Sequence, residues 1–501
     1  MSCEYPRPLP NGLAETLRPL GLGARLLLAS TGLALATCSP PAGPALNVLL
    51  VTLDTTRPDY MGTYGYGSPT PGFDAIAADG VRFDRATSAS SLTPVSHATI
   101  LTGLYPDRHG VRVLSADSGF RLAPEEETLT TRLRSMGYHT AAVNSAFPVS
   151  SHFGFEYGFE TWDSMEGNMS ETGKAWNVTK LQRRSDDTTN AAISALDGLA
   201  EPFFLWIHYW DPHDHALLPP GDIEVTRETA DHVYGLEVAY VSEQFGRLCD
   251  SFRERGLWDR TLTVVTSDHG QGLSDGKRNH KWEMHRMLYR EQIRVPLLLR
   301  IPGGTPGLTI GDVVTTADIA PTVYDLLGLD GPEGLDGHSL RGLMEGRSVP
   351  ARTVYAEQLN GYDQNAAMAK KRPSAAFMYA QIERDWKLIY RPHMPWRSEL
   401  FHLAEDPLEL TNLFETQIEV RSRLLVQLAE RSPWVLAPFP VAGTQATDVS
   451  SALAGLGYAT AEGPVDDAAW SWTCPRHLDQ RMTEPGTHTD CGAPLIPIRD
   501  K

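Results

Sequence analysis

"ALNVLLVTLD", residues 45–54, is an apolar run that closes on an acid. A run of that length without polar alternation fits a strand buried on both faces, as in a parallel sheet covered by helices. Further strand candidates follow: "HTAAVNS" (139–145), "EPFFLWIHYWD" (201–211), "RTLTVVTSDHG" (260–270) and "RVPLLLRIP" (294–302). Helical stretches lie between them. The longest is "DHVYGLEVAYVSEQFGRLCDSFRERG", in which Val233, Leu236, Tyr240, Phe245, Leu248 and Phe252 make one apolar stripe. Strands alternating with helices predict an α/β sandwich around a largely parallel central sheet. After Pro350, "RDWKLIY" and "SELFHLAEDPLELTNL" predict a small β-rich subdomain that ends in a helix.

The polar residues gather at strand ends. Asp54 closes the first strand, Asp211 closes "FFLWIHYW", and Asp268 with His269 closes "LTVVTS". Ligands of open parallel sheets bind at the carboxyl ends of the strands. One such acid would be an ordinary turn residue, but three at equivalent positions, two with a histidine close by, point to a metal site.

Composition bounds the rest. The chain has 501 residues, 41% hydrophobic and 21% charged, as expected of a globular protein. A net charge of −18 excludes the basic face that nucleic-acid binding needs. Residues 26–37, after Arg18 and Arg25, are short, apolar and uncharged, which predicts an export signal rather than a membrane span. "LATC", ending at Cys38, resembles a bacterial lipobox, so the expectation is a periplasmic or outer-membrane lipoprotein that touches the membrane only through this lipid anchor. Cys249 falls in the long amphipathic helix and reads as a core residue; Cys474 and Cys491 would suit a bridge in an oxidising compartment. The predicted layout is a signal over 1–38, a linker over 39–45, a catalytic domain over 46–349, a C-terminal subdomain over 350–440 and an extended tail over 441–501.

These stretches together resemble the sulfatase family of the alkaline phosphatase superfamily. "NVLLVTLDTTRPDYMGTYGY" is similar to its first metal-binding strand and "TPVSHATILTGLYPDRHG" to its nucleophile motif; "DPH", "TSDHGQG", "LYREQIRVPLLLRIPG" and "WKLIY … ELFHLAEDPLELTNL" match further blocks. The resemblance implies the alkaline-phosphatase/sulfatase fold and hydrolysis of phosphate- or sulfate-type esters.

The departures from the pattern carry information. The sulfatase motif is Cys (or Ser)-x-Pro-x-Arg, and its first residue is oxidised to formylglycine. Here the aligned residues are Thr93, Pro94, Val95, Ser96 and His97. Threonine bears a methyl on Cβ, so oxidation would give a ketone, and no cysteine lies between Cys38 and Cys249. The expectation is therefore no formylglycine and a metal-activated Thr93 hydroxyl as nucleophile. Pro94 would open the helix and Thr93 would cap it, where amide donors favour an anion.

The family's calcium cage carries paired aspartates and a later Asp-Asn. Here the pairs are Asp54-Thr55 and Asp268-His269. One carboxylate is lost and an imidazole gained, which favours zinc or manganese over calcium as the divalent metal. The resemblance implies a site of Asp54, Thr93, Asp268 and His269. A second ion would take Asp211 with His213 or His215, plus His285 or His280. In the sulfatases, the histidine two after that aspartate contacts substrate instead, which makes His213 a catalytic candidate; His285 is another, because it falls where a later family lysine sits. Ser145 and Phe147 stand where sulfatases place a lysine and a histidine. The expected substrate is a small-molecule, glycan or lipid ester, with phosphorus esters favoured. A true sulfatase acting without formylglycine is the alternative enzyme. A non-catalytic protein that binds anionic glycans is the alternative outside catalysis.

Overall fold

The computed structural model describes residues 45–114, 119–165, 181–213, 215, 217–274, 286–360, 377–392, 394–431, 470–484, 486–492 and 495–499. The predicted signal, Cys38, His280 and His285 lie outside these. Eight strands form the central sheet: β1 (Asn47–Leu53), β2 (Val81–Thr87), β3 (His139–Asn144), β4 (Thr161–Asp163), β5 (Phe203–Tyr209), β6 (Thr261–Ser267), β7 (Arg294–Arg300) and β8 (Leu308–Thr315). Their order is β4-β3-β5-β1-β6-β7-β2-β8. β1 runs parallel to both β5 and β6, and β7 is antiparallel to its neighbours β6 and β2. The largely parallel sheet expected from the apolar runs is the one observed.

All seven residues of β1 are buried, as its lack of alternation requires. Its two faces serve different cores. Leu49, Val51 and Leu53 pack with the long helix Ala230–Glu254 through Tyr234, Val238, Val241 and Phe245. Val48 and Leu50 pack on the other side, in the core that contains Val95, Ala98 and Leu101 of α2 (Thr93–Thr102). Side chains two apart on a strand share a face. Thr52 and Asp54 therefore continue the face of β1 that α2 covers, and this alternation brings the nucleophile motif over the strand-end acid.

Val233, Phe245, Leu248 and Phe252 of the stripe expected on the long helix are buried, and two of its residues are not. Leu236 is 37% exposed and Tyr240 only half-buried, because the buried face runs through Tyr234, Val238 and Val241 instead. Tyr234 uses its position on that face: its hydroxyl donates to the Thr55 carbonyl at 2.7 Å and accepts from the Arg57 amide at 2.9 Å, which pins the loop after β1.

Beyond the main sheet, β9 (Thr353–Gln358), β10 (Met378–Glu383), β11 (Trp386–Tyr390) and β12 (Glu399–His402) form a four-stranded antiparallel sheet, followed by the helix Ile418–Glu430. The end of the chain departs from the expectation of an extended tail. β13 (Trp470–Cys474), β14 (His477–Met482) and β15 (Ile496–Arg499) form a three-stranded sheet in the order β14-β13-β15. It touches the main core at two points: Leu478 and Ile498 belong to the same buried cluster as Leu388, Leu400 and Leu424. The expected Cys474–Cys491 bridge is not formed. Both cysteines are free, with their sulfurs 3.5 Å apart. No helix among the described residues is long and apolar enough to cross a membrane.

Candidate active site

Two neighbouring strands deliver the first two acids. Leu53 of β1 pairs with Ser267 of β6, and the ladder continues past both strands: the Asp54 amide donates to Tyr209 O at 2.8 Å and the Asp268 amide to Leu53 O at 3.2 Å. Asp54, Asp268 and His269 then present ligand atoms within 4.8 Å of one another, all buried. Asp268 is fixed through one oxygen. Its Oδ1 accepts from the Thr55 amide at 3.0 Å and from the His269 amide at 2.6 Å. Thr55 reaches that oxygen from a left-handed backbone with φ of 48°. That conformation is rare for a β-branched residue and marks strain held in place by its surroundings. Oδ2 of Asp268 accepts no hydrogen bond among the described residues.

Thr93 enters from the other side of the site. It is the first residue of α2 rather than its cap; Leu92 holds the cap position with extended backbone. Its side chain is thereby released from capping and turns toward the acids, with Oγ1 3.3 Å from His269 Nε2. The tautomer of His269 follows from its other nitrogen. Nδ1 lies 2.9 Å from the Gly270 carbonyl, which can only accept, so Nδ1 carries the proton and Nε2 presents its lone pair. Burial holds the His269 pKa below the ordinary imidazole value, with Asp268 opposing.

A further imidazole, not singled out by the sequence, lies beside Asp54. His208 lies within β5 opposite Thr52, and its Nε2 is 3.3 Å from Asp54 Oδ2. The hydrogen-bond network assigns its proton. His97 Nδ1 donates to the Thr93 carbonyl at 2.8 Å, so its Nε2, 3.0 Å from Thr52 Oγ1, accepts the Thr52 proton. Thr52 Oγ1 accepts from Trp206 Nε1 at 3.0 Å and from His208 Nδ1, also at 3.0 Å. His208 Nε2 is left with a lone pair facing a carboxylate oxygen, and burial holds its pKa well below the usual value. Two buried acceptors at that separation call for a cation between them. Asp54, Asp268 and His269 make the donor set that fits a divalent metal, and His208 borders it through Asp54.

The residues expected at a second ion are otherwise engaged. Asp211 Oδ1 accepts from the Ser185 amide at 3.0 Å and hydroxyl at 2.8 Å, and burial raises its pKa to about 7. His215 Nδ1 lies 3.1 Å from Glu237. Neither joins a cluster of three metal-capable side chains among the described residues. His213 is buried and stacked on Trp210, ring centroids 3.8 Å apart. Ser145, at the position of the sulfatase lysine, bonds to Thr188 and to the His208 carbonyl.

The chain is similar to known proteins over most of its length. The family model described as Sulfatase matches residues 46–329, and one described as N-sulphoglucosamine sulphohydrolase, C-terminal, matches residues 278–432. An N-acetylglucosamine-6-O-sulfatase of Bacteroides thetaiotaomicron is 24% identical over 81% of this chain and 90% of its own. A choline-sulfatase of Rhizobium meliloti is 32% identical over 41% of this chain and 38% of its own. The solved phosphonate monoester hydrolase of Agrobacterium radiobacter superposes with a TM-score of 0.60 at 22% identity, covering 77% of this chain and 94% of that one. With the family model spanning more than half of the sequence and the sheet and strand-end acids in their expected positions, the chain belongs to the sulfatase family of the alkaline phosphatase superfamily and is a hydrolase of that family.

Proposed function

We propose that this sulfatase-family hydrolase uses Thr93 as its nucleophile, depends on a divalent metal, and favours phosphorus esters over sulfate esters. The observation that carries the reading is the 3.3 Å separation of Thr93 Oγ1 from the His269 nitrogen whose lone pair faces the acids. Asp54, Asp268 and His269, with Thr93, would hold the metal, and His208 would support Asp54. Carboxylates mixed with imidazoles suit zinc or manganese better than calcium. A divalent ion there would lower the pKa of the threonine hydroxyl and offset the charge of the ester oxyanion.

The chain's own residues do the rest. His97 ties the start of α2 to β1 by bridging the Thr93 carbonyl and Thr52, which fixes where Oγ1 sits. The Thr93 hydroxyl, its pKa lowered, gives its proton to solvent, and Oγ1 bonds to phosphorus as the bond to the ester's alcohol oxygen breaks. That oxygen leaves with a proton, and His213 is the proposed donor among the described residues. Water then cleaves the phosphothreonine and returns the hydroxyl. Formylglycine releases sulfate by collapse of its hydrate, and threonine has no such route, which favours phosphorus. The phosphonate monoester hydrolase among the structural neighbours is consistent with phosphorus-ester hydrolysis on this fold.

Sulfate-ester hydrolysis through the same threonine is the second reading, favoured by the names of the curated relatives. Acid quenching during turnover of an aryl phosphonate, then peptide mapping, tests the proposal. A phosphoryl or phosphonyl adduct on Thr93 is expected; an adduct elsewhere overturns the nucleophile assignment.

A further inference from the structure

The three-stranded sheet at the end of the chain holds a second group of metal-capable side chains, unconnected to the hydrolase site. Cys474, His477, His488 and Cys491 present one ligand atom each within 4.8 Å of one another. In sequence they read Cys-x-x-His and His-x-x-Cys, separated by ten residues. Two tight turns build the halves. Cys474 and His477 are cross-strand partners where β13 turns into β14, and Pro475 and Arg476 make the turn. His488 and Cys491 are held by the bond from the Gly492 amide to the His488 carbonyl at 2.8 Å, with Gly492 at φ of 66°.

The distances suit one tetrahedral ion. Cys491 Sγ lies 3.5 Å from Cys474 Sγ, 3.5 Å from His488 Nδ1 and 3.9 Å from His477 Nδ1. Bond lengths of about 2.3 Å to sulfur and about 2.0 Å to nitrogen give tetrahedral edges of roughly 3.5–3.8 Å. A disulfide would need the sulfurs at about 2.05 Å and would leave both imidazoles facing it without a role. The supporting bonds fit as well. His488 Nε2 is hydrogen-bonded to the Gln480 side-chain oxygen, so its Nδ1 is the free lone pair on the cluster side. The Arg476 amide donates to Cys474 Sγ at 3.4 Å, as an amide does to a thiolate.

We infer that Cys474, His477, His488 and Cys491 bind a structural zinc ion that staples the terminal three-stranded sheet. Two thiolates and two neutral imidazoles leave a divalent ion electrically neutral in a half-buried place. Four protein donors close the coordination sphere, so the ion holds structure and does no catalysis. The sheet needs such a staple: its described apolar anchors are few, Leu478, Leu495 and Ile498 among them.

The test uses the full-length protein purified under reducing conditions without chelator. Zinc X-ray absorption of the wild type should show sulfur neighbours at about 2.3 Å, two per zinc if the hydrolase site holds manganese and an average of one if it holds zinc. Elemental analysis should show one zinc equivalent that the double variant Cys474→Ser/Cys491→Ser lacks and Asp268→Asn keeps. The absorption measurement needs no variant, so it decides even where the serine variant misfolds. Metal without sulfur neighbours, or a Cys474–Cys491 disulfide in non-reduced peptides of the purified protein, overturns the proposal.

Discussion

His208 Nε2 and Asp54 Oδ2 lie 3.3 Å apart on adjacent strands, both fully buried, with the imidazole lone pair turned toward the carboxylate. Repulsion between two acceptors is relieved only by a proton or a cation, and burial disfavours the protonated imidazole. His208→Ala should therefore weaken metal binding at the hydrolase site by roughly 10–100-fold. Competition with a chelator of known affinity measures it. Unchanged metal affinity would show that His208 does not support Asp54 as a ligand.

His109 gives a prediction in pH. Its Nδ1 accepts from the Val111 amide at 3.1 Å, and its Nε2 lies 3.0 Å from Thr99 Oγ1. The neutral ring thus has a donor facing Thr99 and an acceptor facing Val111. Burial, with Arg112 nearby, lowers its pKa to about 3. The unfolded chain has the ordinary value of about 6.5, so it binds the proton first as pH falls. The stability that His109 contributes is complete above about pH 6.5 and is lost as pH falls toward 3. Urea midpoints across that range should fall less steeply for His109→Gln than for wild type. Parallel curves would show that His109 does not titrate on unfolding.

Where the sequence succeeded and where it failed has a physical reason. Asp54, Asp268 and His269 were visible because a parallel sheet aligns its strand ends, and an acid after an apolar run marks such an end. His208 was not visible. It sits inside β5, and only the register that sets it opposite Thr52 reveals that it shares a face with Asp54. On the long helix, Val233, Phe245, Leu248 and Phe252 were legible as core, but packing against β1 selected Tyr234 and Val238 over Leu236 and Tyr240. At the end of the chain, two cysteines suggested a bridge because His477 and His488 are brought beside them only by the turns of the hairpin.

The N-terminal reading predicts a lipid on Cys38. An uncharged stretch over 26–37 behind Arg18 and Arg25, ending in "LATC", would deliver the chain to the lipoprotein pathway. The mature N-terminus should be Cys38 carrying acyl chains, and the protein should partition into detergent. Cys38→Ala should leave it soluble. A mature chain that begins elsewhere without lipid would rule the anchor out.

The most demanding prediction concerns the Thr93 side chain itself. Thr93 is not a cap, so replacing it removes no capping bond, and α2 is held by Val95, Ala98 and Leu101 in the core. Thr93→Ala should fold normally and lose turnover by roughly a thousand-fold or more, the usual scale for deleting a nucleophile. Thr93→Ser keeps the hydroxyl and should retain much of the rate. Thr93→Cys should not recover activity through formylglycine, because Val95 and His97 stand where that modification expects proline and arginine. Rates on matched aryl phosphonate, phosphodiester and sulfate substrates then separate the two ester classes. A higher kcat/KM for the phosphorus esters is expected. Faster turnover of the aryl sulfate would keep Thr93 as nucleophile and overturn the preference for phosphorus. Wild-type rates in Thr93→Ala would overturn the nucleophile itself.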